Sequence, residues 1–210
     1  MDEEGLIALM TKAAAGALPN GAVGPGDDAA VLPWTTGEDL VVTTDVVAEG
    51  VHYPAAAKPQ DIGRFVVHVN LSDLAAMGAT PRGFLLAYAA PPDTAPAWFE
   101  GVAAGSAAAL RAHGCPLLGG DTKEAGTRVL TGTALGAVPR GRAVLRSGAR
   151  EGDVVAVTGA LGGPGAVLHA WQERRLGDSE ASRGLLSAEA RIAAGIALRE
   201  GGAHALIAGR

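Results

Sequence analysis

With 210 residues the chain is long enough for one domain with a real core, or for one domain and much of a second. Hydrophobic residues make up 48% and charged ones 19%, and no apolar run approaches the roughly 18 residues of a spanning helix, so no membrane role is expected. The net charge of −5 argues against nucleic acid as a partner, and a lone cysteine, Cys115, leaves no disulfide framework and no thiolate zinc cluster.

The opening "MDEEGLIALM" carries acids where a secretory signal would carry Lys or Arg, which points to a cytoplasmic protein. Leu6, Ile7, Leu9 and Met10 fall at helical spacing and predict a short helix over 3–15. Residues 29–34 and 40–47 read as strands, the second rich in β-branched side chains. Pro59 then opens a long helix that stops at Gly78, with Asp61 in its first turn. A strand over 84–90, a helix over 95–114, a buried strand over 115–120 and a longer strand over 128–138 follow; Cys115 reads as a small buried residue. This alternation predicts an α+β domain with a mixed sheet over residues 1–140. Over 141–210 a strand in "REGDVVAVTG", a Gly-rich turn and helices near 163–175 and 187–199 predict the incomplete start of an α/β domain.

Five acids do not sit where solvated acids normally sit. Asp27 and Asp28 precede a strand in "GDDAAVL", Asp45 interrupts "VVTTDVV", Asp73 lies in "VNLSDLAAMG", and Asp121 ends "PLLGGD". An ionised carboxylate is costly to bury unless it is paired or bound to metal, and only three lysines, Lys12, Lys58 and Lys123, occur in the chain. Hard oxygen donors in such a set suit Mg²⁺, which is typically held by a few carboxylates together with substrate phosphates. Thr43 and Thr44 add oxygens beside Asp45; in a strand Thr43 shares the face of Asp45 and Thr44 points away. Asn70 shares a helix face with Asp73 and is placed to orient it.

Acids with magnesium suggest phosphoryl transfer, yet no G-x-x-x-x-G-K-[ST] loop and no kinase-type H-R-D set is present. Arg140, Arg142, Arg146 and Arg150 crowd within eleven residues and read equally as an anion site or as the charged edge of a hairpin. "TGALGGPG" over 158–165 has the spacing of a dehydrogenase phosphate loop. It lacks the tyrosine–lysine pair and the ribose-binding acid, and reads better as a turn packing a helix onto a strand.

Taken in order, "GDDAAVL", "TTDVVAEGVHY", "VNLSDLAAMGATP", "LLGGDT" and "LRSGAREGDVVAVTG" resemble the thiamine-monophosphate kinases of the aminoimidazole-ribotide synthetase superfamily over residues 26 to about 165. Selenophosphate synthetase and the hydrogenase-maturation dehydratase share the first block and the later Asp blocks, so a sister activity, or a non-catalytic nucleotide-binding relative, is the alternative. The resemblance implies ATP-dependent phosphorylation of thiamine monophosphate to the diphosphate by direct transfer with several Mg²⁺ ions. It implies Asp28, Thr43, Thr44, Asp45, Asp73 and Asp121 as metal ligands with Asp27 close by as a supporting or alternative ligand, Gly120, Asp121 and Arg146 as nucleotide contacts, and His52 as a contact to the thiamine phosphate. It also implies a homodimer built through strands of the first domain, and it resolves the arginine cluster in favour of an anion site. Members of the family run about a hundred residues longer, into a further "SDG" block.

Overall fold

The computed structural model describes residues 20–23 and 27–209. The helix expected over 3–15 lies outside the described residues. The elements in chain order are β1 (Ala30–Pro33), β2 (Glu38–Ala48), α1 (Pro59–Ala76), β3 (Thr80–Ala90), α2 (Pro96–Ala112), β4 (Leu117–Gly119), β5 (Thr122–Glu124), β6 (Val129–Pro139), a single 3₁₀ turn (Arg146–Gly148), α3 (Gly163–Gln172), α4 (Asp178–Leu185) and α5 (Ile192–Glu200).

The sheet is mixed, as expected. Its strands run β1-β2-β6-β3-β4; β1, β2, β6 and β3 pair antiparallel, while β4 and β5 both run parallel to β3. Alternation along β2 separates two faces. Val41, Thr43 and Val47 are buried against helices, whereas Thr44 and Val46 are exposed on the far side. Cross-strand register extends this second face through Thr133 and Leu85 opposite Thr44, and through Thr131 and Ala87 opposite Val46.

Helix α1 is the hub of the helical layer, and most of its side chains are buried because it is enclosed from several sides. The sheet covers one side, with Leu71 and Leu74 packed into a core that includes Val41, Phe84 and Leu130. On another side α2 approaches so closely that only glycine fits. A Cβ on Gly63 would stand 2.1 Å from the Val102 carbonyl oxygen, and one on Gly105 1.9 Å from that of Gln60. Ser106 Oγ donates to Gly63 O across this contact at 3.0 Å. Helix α5 docks the same way, with Gly195 against the Ala75 carbonyl. The segment before α5 is tied down by side chains of α1. Arg64 donates to the carbonyls of Leu186 and Ala188, and His68 Nδ1 accepts from the Ala190 amide at 3.0 Å.

Three expectations fail. "CPLLGG" yields only the short β4, and Leu117 and Leu118 are exposed because β4 lies at the sheet edge; Cys115 alone is buried, which pushes its thiol up to about 11. The strand expected in "REGDVVAVTG" does not form. Residues 153–157 carry no regular structure, with Val154 and Val155 more than nine-tenths exposed. A strand needs a neighbour to satisfy its backbone, and among the described residues none pairs with this one. The helix expected over 187–199 begins only at Ile192, and α4 precedes it unforeseen.

Candidate active site

The acids gather where β1 no longer covers β2. The β1–β2 ladder ends at Ala30 opposite Val42, and beyond it the inner face of β2 presents Thr43 and Asp45 toward α1. Thr43 Oγ1 donates to Asp73 Oδ2 at 2.8 Å, so strand and helix fix this carboxylate between them. Asn70 serves Asp45 rather than Asp73. Its Oδ1 accepts the Asp45 amide at 2.9 Å and its Nδ2 donates to Val66 O at 2.8 Å. The reading of Asn70 as the group that orients Asp73 is thus corrected: the backbone amide of Asp45 is the donor within reach. Gly132, across the ladder from Asp45, makes room for this amide, since a Cβ there would come within 2.3 Å of Asn70 Nδ2.

Asp27 and Asp28 face the 3₁₀ turn. The Asp28 side chain is only 3% exposed and receives a two-pronged ion pair from Arg146, with Nε donating to Oδ2 at 2.9 Å and Nη2 to Oδ1. Asp27 Oδ2 accepts the Arg146 backbone amide at 3.1 Å. The guanidinium is held above its ordinary pKa first by the hydrogen bonds to Asp28, then by the charges of Asp28, Asp27 and Asp73. Two of the five acids, Asp27 and Asp28, therefore bond one arginine, and the charge of Asp73 reaches it from farther off. The premise that too few cations stand near these acids fails at Asp28, because the partner is 118 residues away in the chain.

Other expected residues are placed elsewhere. Thr44 lies on the opposite face, its hydroxyl donating to Gly132 O and bonded to Thr133 Oγ1. Asp121 is exposed, contrary to its apolar sequence context. The Lys123 ammonium and the Thr122 amide bond its carboxylate and hold its pKa below the usual range. Gly120 lies against the Leu86 backbone, where a Cβ would meet the carbonyl oxygen at 1.8 Å. Gly120 and Asp121 thus stand about three strand spacings from Asp45, roughly 14 Å at ~4.8 Å per spacing. His52 Nδ1 accepts the Ala48 amide at 3.0 Å, which puts the proton of the neutral ring on Nε2. The arginine cluster divides. Arg140 braces a hairpin edge through Asp39 and the carbonyls of Thr35 and Glu38, while Arg146 bonds Asp27 and Asp28.

Among the described residues no three His, Cys, Asp or Glu side chains are gathered closely enough to hold a metal by themselves. The donors still fit a hard divalent cation in kind. They are carboxylate and hydroxyl oxygens in two pairs, Asp27 with Asp28 and Asp73 with Thr43, and Mg²⁺ commonly takes one or two protein carboxylates with waters and phosphate oxygens completing its shell.

Residues 26–138 match the family described as AIR synthase related protein, N-terminal domain. The chain belongs to this family. Among curated relatives, the thiamine-monophosphate kinase of Synechococcus elongatus is 44% identical over 151 residues, covering 70% of this AIR-synthase-related chain and 46% of the relative. The chain spans about half the length of the curated relatives it matches. Among solved structures, AaThiL complexed with AMPPCP and TMP superposes with a TM-score of 0.81 at 28% identity, covering 94% of this chain and 62% of that one. The thiamine-monophosphate kinase of Stenotrophomonas maltophilia superposes with a TM-score of 0.72 at 35% identity, over 95% and 65% of the two chains. Among the described residues no helix is long and apolar enough to cross a membrane.

Proposed function

We propose that this chain binds Mg·ATP at the junction of β2, α1 and the Arg146 turn and takes part in transfer of the terminal phosphoryl group to thiamine monophosphate, giving thiamine diphosphate. The observation that carries the reading is the bonding of both Asp27 and Asp28 to Arg146, in a chain whose relatives are thiamine-monophosphate kinases. In this reading Asp28, Asp45, Asp73 and Thr43 would hold Mg²⁺ ions, with Asp27 beside them; bound there, the ions neutralise phosphate charge and draw the polyphosphate into line. Thr43 orients Asp73, and Asn70 fixes the backbone that carries Asp45. Arg146, with 42% of its side chain exposed, offers a planar fork to phosphate oxygens. Thr44 contributes backbone oxygen alone, because its hydroxyl is turned to the other face. Gly120 and Asp121 meet a separate part of the nucleotide or a separate ion. His52 presents its Nε2 proton to the acceptor phosphate. No general base is required, because the attacking phosphate oxygen is already anionic and positioning supplies most of the rate.

The same reading includes a homodimer. Its two-fold contact would use the sheet face on which, among the described residues, Thr44, Val46 and Leu85 are exposed, and light scattering at micromolar concentration tests it against a monomer. The functional test is incubation with Mg·ATP and thiamine monophosphate, followed by chromatography for thiamine diphosphate. Magnesium-dependent product supports the reading. No product, with Mg·ATP binding intact, reduces the chain to a nucleotide-binding module.

A further inference from the structure

The carboxylate that the resemblance gives to a metal is already held by a protein cation. The Asp28 side chain is almost fully buried, and its two oxygens take the Nε and Nη2 donors of Arg146. The backbone around this pair is fixed on both sides. The Arg146 amide is held by Asp27, and the Ala208 amide approaches Asp28 Oδ1 at 3.4 Å. Gly148, two residues on, lies so close to the His204 carbonyl that a Cβ would stand 1.9 Å from its oxygen. The Arg146 side chain, by contrast, is long and 42% exposed, so the guanidinium can leave while the turn stays.

Resting on the nucleotide-binding reading above, we propose that Arg146 is an exchange gate: in the ligand-free protein its guanidinium occupies Asp28 in place of a divalent cation, and Mg·ATP binds by displacing it onto the phosphates. A buried carboxylate left without a partner is costly, so an internal cation keeps Asp28 paired and aimed before any ligand arrives. A bare divalent ion must compete with a bidentate guanidinium and gains no new partner for the arginine. A metal–polyphosphate offers anionic oxygens that receive the displaced fork, so the exchange is favourable only when metal and nucleotide arrive together. Arg146 is thereby a positioning residue for the carboxylate and a selector against free metal.

The test compares Mn²⁺ binding without nucleotide, read by electron paramagnetic resonance, in the wild-type chain, Arg146→Met, Arg146→Lys and Arg146→Met with Asp28→Asn. The expected result is at least tenfold tighter Mn²⁺ binding in Arg146→Met, an intermediate gain in Arg146→Lys, and loss of the gain in the double variant. Unchanged or weaker binding in both single variants overturns the gate. A second measurement needs no variant: the Arg146 Nε–H resonance in a ¹⁵N-labelled wild-type chain shifts when Mg·AMPPCP saturates the protein and holds its place with Mg²⁺ alone. A resonance unmoved at saturation overturns the gate equally. Failure of the chain to bind Mg·AMPPCP at all counts against the proposed function, and the Mn²⁺ comparison then decides the gate by itself.

Discussion

Replacing Asn70 by Leu tests how the site is built into the fold. The side chain is fully buried and makes two bonds, accepting the Asp45 amide at 2.9 Å and donating to Val66 O at 2.8 Å. Leucine has nearly the same shape, so the packing change is small and the polar loss dominates. The Asp45 amide is left without its acceptor, which costs about 1–3 kcal/mol. Val66 O lies within α1 and keeps its helical bond, so losing the side-chain donor there costs only about 0.5–1 kcal/mol. The sum, about 1.5–4 kcal/mol, lowers the melting temperature by roughly 3–16 °C for a chain of this size. Asp45 also loses its tether, so Mg·ATP affinity falls about tenfold, equivalent to ~1.4 kcal/mol. Asn70→Asp separates the two effects. It keeps the acceptor for Asp45 but sets a buried charge against a carbonyl, so its stability loss shrinks as pH falls and the new carboxyl protonates. Scanning calorimetry and nucleotide titration read both quantities. An Asn70→Leu chain that melts within a degree or two of wild type and binds Mg·ATP equally well refutes the argument.

Two further predictions concern the scaffold that carries α1. Burial, with the charge of His113 and then Arg64 adding to it against Glu189, lowers His68 to about 4 from 6.5. The folded state therefore prefers the neutral ring, so stability is full above pH 6.5 and is lost as pH falls from there toward 4, by about 2–3 kcal/mol; urea midpoints at pH 7 and pH 4.5 measure this, and His68→Gln should flatten the difference. Gly105→Ala forces a methyl to within 1.9 Å of Gln60 O and should cost about 3 kcal/mol or more by parting α1 from α2, a loss visible in urea unfolding.

The sheet and the two long helices were legible because their signals are local. Pro59 and Pro96 open α1 and α2, and alternation along residues 38–48 separates Thr43 from Thr44 as the strand period requires. What the sequence hid depends on distant partners. Nothing near Asp28 announces Arg146, and nothing near Asp45 announces Asn70, because each pairing is made by tertiary packing. Asp121 misled for the opposite reason. Its apolar neighbours suggested burial, yet β4 stands at the sheet edge and exposes them. The valines of 154–157 carry strand propensity with no strand beside them, and propensity without a partner does not make a strand.

The central claim, that these carboxylates bind nucleotide through magnesium, is tested most directly by calorimetric titration of AMPPCP into the wild-type chain and Asp73→Asn, with Mg²⁺ and again with excess chelator. The account predicts saturable binding by wild type that requires Mg²⁺ and weakens in Asp73→Asn by about 1–3 kcal/mol, the scale of one charge-assisted contact. Equal affinity in both chains, or binding indifferent to chelator, would contradict it.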